Sequence, residues 1–102
     1  MSEMITGVEN ARDFPTSFSL DQDYPNSFNP STTISYRLPT QGHVTLKVFD
    51  VLGREVATLV NGPEEPGFKT VQFDGSNLSS GMYFYSLQAG DFVAMKKLLL
   101  LR

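Results

Sequence analysis

Four stretches of this sequence alternate apolar and polar residues, and this alternation limits the possible fold more than any other feature. In Thr32–Leu38, the apolar residues Ile34, Tyr36 and Leu38 occupy every second position. Because successive side chains of a β-strand point to opposite faces, the pattern predicts a strand with one buried and one solvated face. The same pattern recurs in His43–Asp50, Lys69–Asp74 and Met82–Gln88.

Three less regular stretches are also predicted to be strands. Glu55–Val60 has apolar residues on both faces, which indicates a bulge or burial on two sides. Phe92–Leu101 alternates at first and then becomes continuously apolar, as expected for a last strand that is buried at one end. A short strand at Phe18–Leu20 brings the total to seven. No stretch favours a helix, and Ser76–Ser80 has room for one turn at most.

Turn-forming residues separate these strands. Gly53 and Gly90 lie in short hairpin connections, where we expect both glycines to serve the turns. The proline-containing segment Asn61–Gly67 is predicted to be a longer loop. Turns recur about every 8–12 residues, which is the spacing of a sandwich or barrel. The sequence therefore predicts an all-β fold, a seven-stranded antiparallel immunoglobulin-like β-sandwich.

Length and composition fit one domain with a short segment before it. The chain has 102 residues, of which 40% are hydrophobic, as in a globular domain. Residues 1–17 show no sustained hydrophobic period and are predicted to be a linker or residues left over from the expression vector. The domain is therefore expected at residues 18–102. No apolar run approaches the ~20 residues of a membrane helix. The N-terminus also lacks the basic and apolar regions of a secretory signal peptide.

Charge and residue types argue against several functions. The net charge of −3 disfavours nucleic-acid binding. The absence of cysteine excludes disulfides and thiolate metal sites. His43, the only histidine, falls on the outward face of its strand, and the nucleophile motif G-x-S-x-G is absent. We therefore predict no catalytic residue, no cofactor and no metal.

The acidic pair Asp21 and Asp23 comes nearest to a metal-binding pattern. No glycine or glutamate completes a calcium loop after it. A solvated acidic turn is the prediction instead.

The stretch Tyr24–Pro39 is rich in residues that do not pair within a sheet. Pro25 and Pro30 lack an amide donor and cannot lie in a central strand. Asn26 and Asn29 favour turns. This segment is predicted to cross from one sheet to the other at the end of the sandwich.

The chain ends on Lys96–Arg102, without a polar tail. One interpretation is an ordinary last strand, with Lys96 and Lys97 as edge charges that deter aggregation. The other is a recognition signal, a strand end that another protein reads.

Four segments, in order, resemble the type A C-terminal sorting domain of the type IX secretion system, a Por secretion sorting domain found in the Bacteroidetes group. The likeness covers about residues 14–102, with nearly family-typical spacing. The family usually has Asn where this chain has Asp23, and Pro where it has Ser27. The opening, the middle hairpin, the penultimate strand and the basic-then-aliphatic ending correspond to Phe18–Thr32, Val48–Val56, Ser80–Tyr85 and Lys96–Arg102.

The resemblance implies that residues 18–102 are a non-catalytic module that directs an attached cargo protein through the periplasm and across the outer membrane. The cargo would reach the cell surface or the medium. The implied partners are the type IX translocon, sortase-like components and an N-terminal cargo domain. Gly81 and Tyr83 match the penultimate motif, where a structural role is expected. The residues most tied to recognition are Lys96, Lys97, Leu98, Leu99, Leu100, Leu101 and Arg102.

Two other functions stay open. One is a structural or adhesive immunoglobulin-like module of an extracellular enzyme, and the other is a carbohydrate-binding module. Sugar binding favours exposed aromatic rings, whereas Tyr36, Tyr83 and Tyr85 are predicted to lie in the core. An enzyme is the least favoured function. Unpaired edge strands would also permit weak self-association.

Overall fold

The computed structural model of the chain describes residues 15–25, 27–28 and 30–101. Within these residues the fold is all-β, and seven strands pair antiparallel while one short strand pairs parallel. The predicted fold class is confirmed. The strands are β1 (Ser19–Leu20), β2 (Ser27–Phe28), β3 (Ser31–Leu38), β4 (Gly42–Phe49), β5 (Glu55–Glu64), β6 (Gly67–Asp74), β7 (Gly81–Ala89) and β8 (Phe92–Leu100).

The strand order is that of an immunoglobulin domain. One sheet has the order β1–β3–β6 and the other β2–β8–β7–β4–β5. These correspond to strands A, B and E in one sheet and G, F, C and C′ in the other. Near the start of β7, the Tyr83 hydroxyl donates to the backbone oxygen of Ser79 at 2.7 Å. This contact resembles the tyrosine corner that joins the same part of immunoglobulin domains. Gly81, which begins β7, has a φ of 148°.

The core between the sheets comes from alternate residues, as the sequence pattern predicted. Tyr85 is fully buried, and Tyr36 and Tyr83 are also in the core. Burying one large apolar side chain stabilises a fold by about 1.5–3 kcal/mol, so this shared face holds the two sheets together. The other buried hydrophobic residues are Leu20, Ile34, Leu38, Val44, Leu46, Val48, Phe73, Leu87, Ala89, Leu98 and Leu100.

The predicted loop Asn61–Gly67 is wrong in its first part. β5 continues to Glu64, and only Glu65 and Pro66 connect it to β6. Pro63 lies opposite His43 of β4 in the middle of this extension. A proline is tolerated there because β5 is the edge strand of its sheet, where one side needs no amide donor.

The irregular pattern of Glu55–Val60 reflects a bulged strand, as predicted. The register of β4 against β5 shifts twice, between Leu46 and Lys47 and again between Val48 and Phe49. Each shift bends the strand locally and interrupts its pairing. None of the residues of β5 is fully buried.

The proline-rich stretch crosses between the sheets, as predicted. β1 and β3 belong to the three-stranded sheet, whereas β2 between them pairs with β8 in the other. The sequence gives no sign of β2, because two residues cannot show a period; the pairing of Ser27 with Leu99 defines it. Residues 1–14 of the predicted linker, and Arg102, lie outside the described residues.

Candidate docking edge on the last strand

β8 is paired along its whole length on one side and only at its end on the other. β7 pairs with all of β8. On the opposite side, β2 covers only Leu99 and Leu100. No other described strand pairs with that side of β8. We call its open part, Phe92–Lys97, the β8 edge.

The hairpin register determines which backbone groups face the open side. The turn before β8 is the residue pair Gly90–Asp91, so Ala89 and Phe92 flank it as a hydrogen-bonded pair. Hydrogen-bonded and non-hydrogen-bonded pairs alternate along an antiparallel ladder. The N–H and C=O groups of Val93 and Met95 therefore point away from β7, toward the open side.

A side chain from the segment before β2 closes one end of the β8 edge. Gln22 Nε2 donates to the backbone oxygen of Lys97 at 2.7 Å, which confirms that this oxygen also points away from β7. The same Nε2 donates to Asp23 Oδ1 at 2.7 Å. Asp23 Oδ2 in turn accepts from Thr32 Oγ1 at 2.9 Å. Because Thr32 lies in β3, these contacts tie the end of β8 to the opposite sheet.

Asp23 is only 2% exposed, so the predicted solvated acidic turn is wrong at this residue. Burial raises the pKa of its carboxyl group above the ordinary value, although the hydrogen bonds from Gln22 and Thr32 oppose this. Asp21 is half-buried, and its Oδ1 lies 3.6 Å from a guanidinium nitrogen of Arg37. The Tyr85 hydroxyl donates to the backbone oxygen of Asp21 at 2.6 Å. Alternation could not reveal the burial of Asp23, because this residue lies outside any strand.

The residues predicted as a sorting signal divide between core and surface. Leu98 and Leu100 are 0% exposed and form part of the core. Substituting either leucine would alter folding as well as any recognition. Arg102 lies outside the described residues. The exposed or half-buried members are Lys96, Lys97, Leu99 and Leu101.

Part of the outer face beside the β8 edge is apolar. Val93 and Met95 are 63% and 59% exposed. An open groove of about 340 Å³ adjoins Met95, and its lining also includes Phe49, Asp50, Val51 and Phe84. Exposed apolar side chains grouped in this way mark a contact surface more often than isolated ones do.

The turn between β4 and β5 borders this face and is held by Asp50. Its Oδ1 accepts from the N–H groups of Leu52 and Arg54, both at 2.9 Å, and its Oδ2 accepts from Arg54 Nε at 2.8 Å. The bonds from Arg54 and Leu52 hold the pKa of the Asp50 carboxyl below its ordinary value. Gly53, with a φ of 84°, and Gly90, with a φ of 59°, have backbone conformations that favour glycine.

No three His, Cys, Asp or Glu side chains of the described residues are grouped so that they could hold a metal ion. His43 is exposed, and its Nε2 lies 3.0 Å from Asn61 Oδ1. Within residues 15–25, 27–28 and 30–101, no helix is long and apolar enough to span a membrane.

A family model described as "Secretion system C-terminal sorting domain" matches residues 23–101. No curated protein matches the chain. Among solved structures, one that is similar is PorZ of Porphyromonas gingivalis, described as an essential bacterial surface component of the type-IX secretion system. Its identity to this chain is 18% and the TM-score is 0.55, and the match covers 84% of this chain and 12% of PorZ. The human B7-H4 IgV-like domain gives 10% identity and a TM-score of 0.46, over 82% of this chain and 94% of that one. The likeness to PorZ shows a shared fold.

Proposed function

Because this chain belongs to the family of secretion system C-terminal sorting domains, a family of non-catalytic signals for type IX secretion, we propose that it carries an attached N-terminal cargo protein to the cell surface or the medium. The proposed route passes through the periplasm and across the outer membrane. The proposed partners are the translocon of the type IX system and its sortase-like components.

The observation that carries this proposal is the extent of the family match. Residues 23–101 include every strand from β2 to β8, so the match covers almost the whole sandwich rather than one motif. The long open side of β8 supports the proposal independently. It leaves backbone of the last strand accessible to a partner while the strand remains folded.

We further propose that the surface members of the ending, Lys96, Lys97, Leu99 and Leu101, make the recognition contacts. Leu98 and Leu100 would act indirectly, by keeping β8 in the core. Truncating the chain after Lys97 would remove both core leucines, so lost export could then reflect unfolding. Surface substitutions separate the two causes.

An export assay tests the proposal. The chain is fused behind a signal peptide and a fluorescent reporter in a bacterium with a working type IX system. We expect the wild-type fusion at the surface or in the medium, and Lys97→Ala/Leu101→Ala retained in the periplasm. The control is Phe68→Ala/Lys69→Ala, which removes one exposed apolar and one basic residue from β6 and should be exported normally.

If the wild-type fusion is folded but stays in the periplasm, the sorting function is wrong and a structural or adhesive role gains support. If the wild type and both double variants are all exported, the chain sorts cargo but recognition does not use Lys97 and Leu101.

A further inference from the structure

Resting on the proposed function, we propose that the partner in the secretion machinery adds one short extended strand to the β8 edge. This strand carries apolar side chains next to Val93 and Met95 and a carboxylate next to Lys97. The free backbone groups, the regular register and the two lysines at the end of the edge each support part of this assignment.

The backbone of the β8 edge is ready to pair. Val93 and Met95 direct their N–H and C=O groups to the open side, as the hairpin register requires. An extended peptide that adds to such an edge gains main-chain hydrogen bonds, whichever cargo the domain carries. From Phe92 to Lys97 the edge is roughly 17 Å long at about 3.3 Å per residue, which suits a single short strand.

The guarding charges of the β8 edge are confined to one end, where Lys96 and Lys97 lie. The register of β8 against β7 runs without a shift from Phe92 to Leu100, so the edge is regular. It contains no proline, and the outer-face side chains of Val93 and Met95 are apolar. Natural edge strands are kept from pairing by prolines, bulges and charges, above all by lysines and by charges that point inward. Lys96 is such an inward charge, since it lies on the inner side opposite Tyr85 and is half-buried. Together with the exposed Lys97, it would deter a strand that offers no carboxylate.

Side-chain chemistry identifies the complementary strand. Apolar residues on its outer face would continue the surface formed by Val93, Met95 and the groove beside Phe84. Lys97 is exposed on the same face and has no carboxylate partner among the described residues. The neighbouring Lys96 has none there either, so two positive charges without a carboxylate lie together at this end of the edge. Lys69 of β6 also lacks one but has no basic neighbour in the chain. Arg37, Lys47 and Arg54 lie 3.6, 3.3 and 2.8 Å from carboxylate oxygens. An acidic residue at the end of the added strand would therefore supply the missing charge partner.

Gln22 sets the limit of the pairing. Its side chain already occupies the backbone oxygen of Lys97, and β2 occupies the positions beyond. The incoming strand therefore ends where β2 begins, and Lys97 contributes its side chain rather than its carbonyl group.

The substitution Met95→Pro tests backbone pairing. It removes an amide that faces the open side, so pairing with β7 is retained, and a proline is tolerated at such an edge. The matched variant Met95→Thr keeps the amide and removes the apolar side chain. Thermal unfolding of the 102-residue chain should place both variants within about 8 °C of wild type. A larger loss for Met95→Pro would mean that the amide bonds within the fold, which contradicts the assigned geometry.

In the export assay, we expect Met95→Pro to reduce the surface signal by roughly tenfold, the change that 1.4 kcal/mol of lost pairing produces. Met95→Thr should reduce it less. Lys97→Glu should reduce it as well, whereas Lys69→Glu, on β6, should not. Wild-type export is the reference that tests the sorting function itself, so the two proposals can fail separately.

Normal export of folded Met95→Pro, with wild-type export intact, would overturn strand addition and leave the sorting function standing. A second copy of this chain could also pair with the β8 edge, and sedimentation of the chain alone tests for such a dimer. If the wild type forms a dimer, Met95→Pro is monomeric and that variant is exported normally, the edge serves self-association. That result would also overturn the proposal.

Discussion

The five-stranded sheet ends on β5 at one side and on the short β2 at the other, where β8 stays open beyond β2. The β5 edge and the β8 edge are built in opposite ways. β5 has Pro63 in its extension and two register shifts against β4, and none of its residues is fully buried. β8 pairs regularly with β7 and contributes Leu98 and Leu100 to the core. Each strand has a side that is unpaired over at least part of its length among the described strands. β5 is guarded by a proline and bulges, whereas β8 has only Lys96 and Lys97 at one end of its open part.

This difference shows that an open edge is not sufficient evidence of a docking site. The proline and register shifts of β5 make it a poor template for pairing, although no described strand pairs with its outer side. The β8 edge combines a regular backbone with exposed apolar side chains and is held in place by buried residues of the same strand. A partner that pairs with β8 would therefore contact a strand whose position the core determines.

The largest expected effect is on the free energy of unfolding, because β8 contributes more to the core than β5 does. Leu98→Ala should lower the free energy of unfolding by about 2–5 kcal/mol, because it leaves a cavity at a fully buried site. Leu59→Ala, at a half-buried position of β5, should cost roughly half as much or less, because less apolar surface is lost. Urea denaturation measures both. Equal losses would mean that β5 supports the core as strongly as β8 does.

A medium effect concerns the contacts that close the end of the β8 edge. Asp23→Asn should raise the free energy of unfolding at pH 7, by less than Leu98→Ala lowers it, because it removes a charge that burial disfavours. The asparagine amide can still donate to Thr32 Oγ1, and that hydroxyl can donate to the backbone oxygen of Pro25, 2.8 Å away. Its carbonyl oxygen can accept from Gln22. A loss of stability at pH 7 would contradict this account.

The difference in the free energy of unfolding between the wild type and Asp23→Asn should depend on pH. The folded chain keeps the Asp23 proton at pH values where the unfolded chain has lost it, because the folded pKa is raised above 3.8. Stability of the wild type therefore falls as the pH rises from 3.8 through that folded value. The advantage of Asp23→Asn should be absent near pH 3 and full above the folded pKa. Denaturation curves at several pH values, compared between the two chains, measure it.

The smallest effect on stability should come from Pro63→Val, which removes a guarding feature from β5. We expect the free energy of unfolding to change by about 0.5 kcal/mol or less, since the site is exposed and at an edge. The new amide should instead promote association between chains, which sedimentation at increasing concentration detects. A chain that remains as monomeric as the wild type would show that the bulges alone protect β5.

Much of the fold could be predicted from the sequence because most strands have one face in the core. Ile34, Val44 and Leu87 stand in alternating stretches, and each is fully buried. The pattern failed where burial is not periodic. β2 is too short to alternate, and the extension of β5 past Pro63 looked like a loop because proline usually ends a strand.

The candidate docking edge was only partly predictable. The ending Lys96–Arg102 stood out by composition and by resemblance, but its division into buried and exposed leucines depends on which sheet β8 joins. The open edge depends on the short length of β2. The contacts of Gln22 and Asp23 with Lys97 and Thr32 join three separate segments of the chain. No local pattern encodes such contacts.

The sequence by itself therefore determined the strand content, the turn positions, the faces that form the core and the family. Each of these follows from short-range periodicity, from turn chemistry or from motifs read in order. Only the tertiary structure decided which edge stays open, which leucines of the ending are buried and why Asp23 is withdrawn from solvent. These features depend on pairing between strands that are distant in the sequence. The length and register of the neighbouring strand determine which groups water can reach, and the adjacent residues in the chain do not.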